Sequence, residues 1–296
     1  MMNPSVSALL KRPGKSIPLS LLTLMTGLLL LSCEEIMDIR FPGDSNKNLV
    51  VEGSITTDAL AHRITLSFTG DYFDKPSQAM ATGAEVSISD GDTTFALHED
   101  ADGEYYTDAD VHGEVGRTYT LNIKLADGRQ YSASDQLLPC ADFDSISQSP
   151  NHQSFDGDYG YDVLFYGQEP ESAGNYYLYF LYLDNVLYTD TLSEISFVSD
   201  EFVNGQYIRE YIVYRIRESD IHPTYINVTL EMHSITREYY EYMSAMLLET
   251  VWRGSPWDGP PANVNGNISN GARGYFRASD VRRRSRYFTP LPRLNK

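Results

Sequence analysis

Cysteine is nearly absent from this sequence, and its scarcity limits how the fold can be stabilised. The chain has 296 residues and two cysteines, Cys33 and Cys140. The residues around Cys33 are typical of a cysteine that is covalently modified. Such a modification would leave Cys140 without a second cysteine for a disulfide. An intrachain disulfide and a cysteine-based metal site are then both excluded. The fold must be stabilised by its apolar core, and the chain is long enough to bury one.

Basic residues are scarce as well. The chain has 23 Lys and Arg against 41 Asp and Glu, so its formal net charge at pH 7 is -18. Three of the basic residues lie in the first 32 residues, which hold no acidic one, so the rest of the chain is more acidic still. Such a surface repels a phosphate backbone. Nucleic acid is therefore not an expected partner.

Long apolar runs are missing too, apart from one near the start. Residues 17–31 form an apolar segment behind three basic residues, Lys11, Arg12 and Lys15. The segment is too short to span a bilayer, and this order of charge and apolarity is that of a secretory signal peptide. The sequence therefore predicts a signal peptide over residues 1–32.

The end of this segment, Leu30-Leu31-Ser32-Cys33, resembles the lipobox of bacterial lipoproteins. The resemblance implies that Cys33 is lipidated and becomes the mature N-terminus. Anchoring by more than one acyl chain is stable, since each buried methylene adds about 0.8 kcal/mol. Glu34 and Glu35 resemble the signal that exports Bacteroidota lipoproteins to the outer face of the outer membrane. The alternative is an ordinary cleaved signal followed by a chance cysteine.

Helical periodicity is rare after Cys33, and short β-branched runs take its place. The 22 tyrosines favour strands and half-exposed surfaces. Behind a polar tether at 33–48, about seven short strands with frequent turn signals occupy residues 49–137, which is typical of an immunoglobulin-like antiparallel sandwich. Asp127-Gly128 is a typical hairpin turn within it.

A polar linker at 138–150 leads to a second β-rich domain, a sandwich or barrel-like unit, at 151–280. Its segment 175–183 is apolar on both faces, which predicts a strand covered on both sides. One late helix is predicted at 237–250 behind the N-cap Thr236, with five side chains at helical spacing. These are Tyr239, Met243, Met246, Leu247 and Thr250. The predicted fold class is mainly β.

Several segments carry a family likeness. They are the opening strand at 49–53, the segments 83–86 and 116–121, the Asp127-Gly128 turn, and the closing stretch 261–276, rich in Asn and Gly. Together with the lipobox they resemble a Bacteroidota outer-membrane lipoprotein family defined by domain of unknown function 4249. The resemblance implies an accessory role beside a TonB-dependent receptor. It transfers no catalytic residue.

Catalytic and metal-binding motifs are also missing. The chain has no Gly-x-Ser-x-Gly elbow and no His-Glu-x-x-His helix, and its six histidines lack metal-ligand spacing. The acidic stretches 100–104 and 156–158 suggest calcium, but neither completes an EF-hand loop, and hairpin turns account for both. We therefore predict a protein that is not an enzyme and that has no cofactor and no metal.

Two groups of residues are candidates for binding. Trp252 and Trp257 lie in a long loop rich in Gly and Pro, where they either contact a ligand or pack the loop onto the domain. The C-terminal segment 281–296 is predicted to be a basic tail. It is either solvated or docks, through arginine, onto an acidic partner or lipopolysaccharide phosphates. Its candidate docking residues are Arg282, Arg283, Arg284 and Arg286.

These features predict a lipid-anchored outer-membrane protein that faces the cell surface. The expected function is that of a non-catalytic binding accessory of a TonB-dependent uptake system. The alternative is a structural or adhesive envelope lipoprotein without a small-molecule ligand. Its expected partners are the outer membrane, through the lipid anchor, and a TonB-dependent receptor.

Overall fold

The computed structural model describes most of the chain after the tether. The described residues are 47–70, 79–151, 160–220, 225–250 and 264–289. The predicted signal peptide, Cys33, Trp252 and Trp257 lie outside them. Among the described residues, none of the helices has the length and apolarity needed to cross a membrane. Strands dominate this part of the chain, which confirms the mainly β prediction.

The first half of the fold is a pair of sheets around one core. Eight of its strands follow one another along the chain: β1 (Leu49–Thr56), β2 (Arg63–Phe68), β3 (Glu85–Ser89), β4 (Thr94–Ala96), β5 (His98–Ala101), β6 (Glu104–Tyr106), β7 (Thr118–Lys124) and β8 (Gln130–Gln136). Strands β4, β3, β7 and β8 form one sheet in that order, and β1, β2, β6 and β5 belong to the other. Side chains that alternate along the strands, such as Val51, Leu66 and Leu121, fill the space between the sheets.

The ninth strand of this half comes from the far end of the chain. β16 (Arg273–Ser279) pairs in parallel with β1, so the first domain does not end at residue 137 as predicted. Gly274 lies opposite Val51 at a φ of 92°. A Cβ atom there would collide with the Val51 carbonyl, so the close pairing requires glycine.

The second half holds the remaining strands and the helix. They are β9 (Phe143–Asn151), β10 (Gly160–Gln168), β11 (Tyr176–Leu183), β12 (Val186–Leu187), β13 (Ser196–Ser199), β14 (Tyr207–Arg217), β15 (Ile226–Ile235), α1 (Arg237–Thr250) and β17 (Val281–Phe288), with a 3₁₀ turn at Glu218–Asp220. One sheet has the order β14-β10-β9 and the other β12-β11-β15-β17, with β13 also on β11. Phe143, Val163, Leu181 and Phe288 are among the side chains buried between them.

Two predicted segment boundaries are wrong. The linker was expected to run to residue 150, but β9 already begins at Phe143. The basic tail was expected from residue 281, but Val281–Phe288 is strand β17, antiparallel to β15. Polar composition suggested loops in both places, whereas pairing with β10 makes the first segment regular and pairing with β15 makes the second regular.

The predicted helix is confirmed at 237–250, with the Thr236 hydroxyl accepting the Tyr239 N–H at 3.4 Å. Of its predicted apolar stripe only Met243 is fully buried, where it packs with Leu178 of β11. Tyr239 packs edge-to-face on Tyr275 at 4.9 Å. Residues 176–180 of β11 are therefore covered on both sides, by the sandwich core and by α1, whereas Tyr182 near the end of the strand faces an open cleft.

The two halves meet at the corner between β16 and β17. The Asp280 carboxylate there is buried, and it accepts hydrogen bonds from the Thr57 hydroxyl at 2.9 Å and the Cys140 N–H at 3.0 Å. Thr57 follows β1, whereas Cys140 precedes β9. The described residues accordingly form one compact unit.

Candidate functional site

An open cleft of about 820 Å³ lies between the outer face of β1 and β2 and the outer face of β11, β15 and β17. The alternation of side chains along each strand determines which groups face this cleft. Val228, Leu230 and Met232 point into the core, so the intervening residues of β15 point outward. Thr229, Glu231 and His233 thus line one wall, and Glu52, Ser54 and Thr56 of β1 line the other. We call this space the inter-sheet cleft.

His233 lies at the buried base of the inter-sheet cleft. Its Nε2 is 3.2 Å from Glu231, and its Nδ1 is 3.1 Å from an Arg277 guanidinium nitrogen. Because a guanidinium can only donate, Nδ1 is the acceptor and Nε2 carries the proton that it donates to Glu231. Burial, with the charge of Arg277 as a further cause, lowers the pKa of His233 to about 4. The imidazole is therefore neutral at pH 7.

Arg283 spans the inter-sheet cleft from β17. One guanidinium nitrogen donates to Asp58 at 2.8 Å, a second also donates to Asp58, and Nε donates to Glu231. Burial acts to raise the pKa of Glu231, but its hydrogen bonds with His233 and Arg283 outweigh burial and lower it. Glu231 is thus ionised, and its charge is compensated within the chain.

Hydroxyl and aromatic groups continue the wall beyond these charges. The Thr229 and Ser285 hydroxyls are 2.8 Å apart. Burial and the neighbouring Glu231 raise the pKa of Tyr182 to about 12, so its hydroxyl stays protonated. Beyond them Tyr225 and Tyr287 are 55% and 66% exposed, with ring centroids 5.6 Å apart at 84°. We call this exposed pair the tyrosine ledge.

A second buried ionisable group lies behind α1. Asp135 accepts hydrogen bonds from the Ala278 N–H at 2.9 Å and the Thr236 hydroxyl at 3.0 Å. Burial raises its pKa to about 6, against the lowering effect of those hydrogen bonds. Asp135 lies opposite Tyr119 in the β7–β8 hairpin and links that hairpin to β16 and to the start of α1.

Neither His233 nor His62 of the inter-sheet cleft is available as a general base. A general base near neutral pH needs a free nitrogen or oxygen and a pKa near 7. Both nitrogens of His233 are engaged and its pKa is about 4. His62, also in the cleft wall, is 3.1 Å from the Val111 carbonyl, and burial lowers its pKa. Among the described residues no three His, Cys, Asp or Glu side chains are grouped as a metal site. The non-enzyme prediction stays a prediction.

The structure distributes the four predicted docking arginines along β17, each with a partner inside the chain. Arg283 lies in the inter-sheet cleft, whereas Arg282 pairs with Asp280 at 2.8 Å. Arg284 pairs with Asp142 at 2.8 Å, and Arg286 donates to the Ile146 carbonyl at 3.2 Å, so both close the edge between β17 and β9. Docking by these arginines stays a prediction, as do the roles of Cys33, Trp252 and Trp257 outside the described residues.

Sequence reasoning missed Glu231, His233 and Arg283 as a group. A usable signal was present in β15, where Val228, Leu230 and Met232 alternate with polar residues. Such alternation predicts a sheet face that is not covered by the core. It could not indicate that β1 forms the opposite wall.

Comparisons with known proteins give a family but no activity. No curated protein matches the sequence. Among solved structures, murine CEACAM1b is similar over 80% of this chain and 96% of its own, at 11% identity and a TM-score of 0.20, which is too distant to support a conclusion about the fold. The model of the family described as "Domain of unknown function (DUF4249)" matches residues 34–285. The match covers most of the chain, which therefore belongs to the DUF4249 family.

Proposed function

We propose that this protein is a surface-exposed outer-membrane lipoprotein, anchored through Cys33, that serves as a non-catalytic binding accessory of a TonB-dependent uptake system. The observation that carries the binding role is the inter-sheet cleft, which is open and polar and whose main charges are already paired. Arg283 is paired with both Asp58 and Glu231, and His233 is neutral, so a ligand can be held without proton transfer. The lipobox and the acidic residues after it support the location.

The anchor is tested by replacing the two cysteines one at a time. Cys33→Ala removes the acceptor of the lipid, so the protein should move from the membrane fraction to the soluble fraction. Cys140→Ala is the matched control, because that thiol is buried beside the Met232 carbonyl and should leave fractionation unchanged. Retention of the Cys33→Ala variant on membranes contradicts the anchor.

The uptake role is tested by mild-detergent purification of the lipidated protein from native membranes. We expect a TonB-dependent receptor to co-purify. Isolation as a monomer, together with binding to other cells or to matrix, contradicts the uptake role and favours a structural or adhesive envelope lipoprotein.

A further inference from the structure

The tyrosine ledge is the starting point for identifying the ligand. Its two rings are more than half exposed, although most large apolar side chains of the described residues are buried. The rings meet edge to face, an arrangement that lets a ring face remain open to solvent. Exposed aromatic rings beside a polar cleft offer faces on which a ligand can stack.

The ledge is continuous with the inter-sheet cleft. In the β15–β17 pairing, Tyr287 lies opposite Asn227, Ser285 opposite Thr229, and Arg283 opposite Glu231. Alternation puts these three pairs on one face of the sheet. Along these three successive pairs, the side chains on this face therefore change from aromatic to hydroxyl-bearing to charged.

The charges at the inner end disfavour an anionic ligand, and the polar groups of the cleft disfavour a wholly apolar one. Arg283 is already bound by Asp58 and Glu231, and Arg63 in the opposite wall is 3.6 Å from Glu104. An anionic ligand would have to displace a carboxylate from an arginine that is only partly exposed. A wholly apolar ligand would bury the hydroxyls and carboxylates of the cleft without hydrogen bonds, which costs free energy for each group.

We infer that the inter-sheet cleft binds a neutral oligosaccharide, an inference that rests on the proposed binding function. A pyranose ring has an apolar face of C–H groups, which stacks on Tyr287, the more exposed ring of the ledge, and a rim of hydroxyls. The rim is bound by the Thr229 and Ser285 hydroxyls and by the Asn227 amide. The ionised Glu231 accepts hydrogen bonds from sugar hydroxyls at the inner end. Binding involves no covalent step.

The test uses the detergent-solubilised full-length lipoprotein and calorimetry with neutral gluco-, manno-, galacto- and xylo-oligosaccharides. At least one of these should bind. Tyr287→Ala should weaken that binding about tenfold, the effect expected for one aromatic contact. Tyr287→Phe keeps the ring and should bind within about threefold of the wild type. Tyr211→Ala, which removes another exposed tyrosine from β14, is the matched control and should leave affinity unchanged.

Three outcomes overturn the inference: no binding of any neutral oligosaccharide, equal binding by the Tyr287→Ala variant, or binding only of acidic saccharides or peptides. Loss of receptor co-purification with oligosaccharide binding intact would instead overturn the uptake role alone. The two proposals can therefore fail separately.

Discussion

Two buried residues, Asp135 and His233, have pKa values shifted in opposite directions, and both shifts favour the neutral form of the side chain. The pKa of Asp135 is raised to about 6, so its contribution to the free energy of unfolding is fully present below pH 3.8 and is lost as the pH rises through 6. The pKa of His233 is lowered to about 4, so its contribution is fully present above pH 6.5 and is lost as the pH falls through 4. Each contribution is about 3 kcal/mol.

Because the two contributions offset each other between pH 4 and 6.5, single substitutions should reveal them. From pH 4 to 7, the free energy of unfolding of Asp135→Asn should rise relative to the wild type by about 3 kcal/mol. His233→Gln should change in the opposite sense, losing about 3 kcal/mol relative to the wild type over the same rise in pH. Urea denaturation at several pH values measures both.

Exposed residues of the same type serve as controls for this pair. Asp102→Asn and His112→Gln should follow the pH dependence of the wild type, since both side chains are exposed. Parallel pH profiles for the wild type, Asp135→Asn and His233→Gln would contradict the shifted pKa values.

At the scale of elements, the segment rich in Asn and Gly before β16 closes the first half of the fold. The Asn267 side chain donates to the Phe276 carbonyl at 2.7 Å and accepts the Phe276 N–H at 3.0 Å. The Ser269 N–H donates to the Ser132 carbonyl at 2.8 Å. These bonds join β16 to β8, so this segment forms a seam between the two sheets.

Asn267→Ala should lower the free energy of unfolding by about 2 kcal/mol, because it leaves backbone groups of Phe276 without partners. Thermal or urea denaturation measures the change. Asn265→Ala, two residues earlier and exposed, should remain within about 0.5 kcal/mol of the wild type. Equal stability of the Asn267→Ala and Asn265→Ala variants would show that the seam contributes nothing.

At the scale of the whole molecule, the last two strands join the halves, and Asp280 lies at their corner. Asp280→Ala removes the acceptor for hydrogen bonds from Thr57, Cys140 and Arg282. The free energy of unfolding should fall by about 3–5 kcal/mol, because one partner of a buried charged network is removed. Asp280→Asn keeps an acceptor oxygen and should cost less. Near-ultraviolet circular dichroism and fluorescence should report one shared transition in the wild type, and separate transitions would contradict the coupling of the halves.

Local features of the sequence were sufficient for most elements. The Asp127-Gly128 turn and the spacing in 237–250 each depend on residues within one turn or one helix, and the helix was predicted at its observed bounds. The cleft wall on β15 is likewise implied by alternation alone. Net charge and the lipobox-like segment 30–33 are also properties of the linear chain.

Tertiary structure alone decided how these elements combine. Arg282, Arg283, Arg284 and Arg286 look like a solvated basic block in the sequence, because linear charge does not reveal partners. In the fold Arg283 binds Asp58, 225 positions away, and β16 pairs in parallel with β1. Such contacts are selected by the free energy of the whole packed chain, since no local pattern favours one distant partner over another. The sequence by itself therefore determined the strands and the predicted cellular location, and only the fold created the inter-sheet cleft.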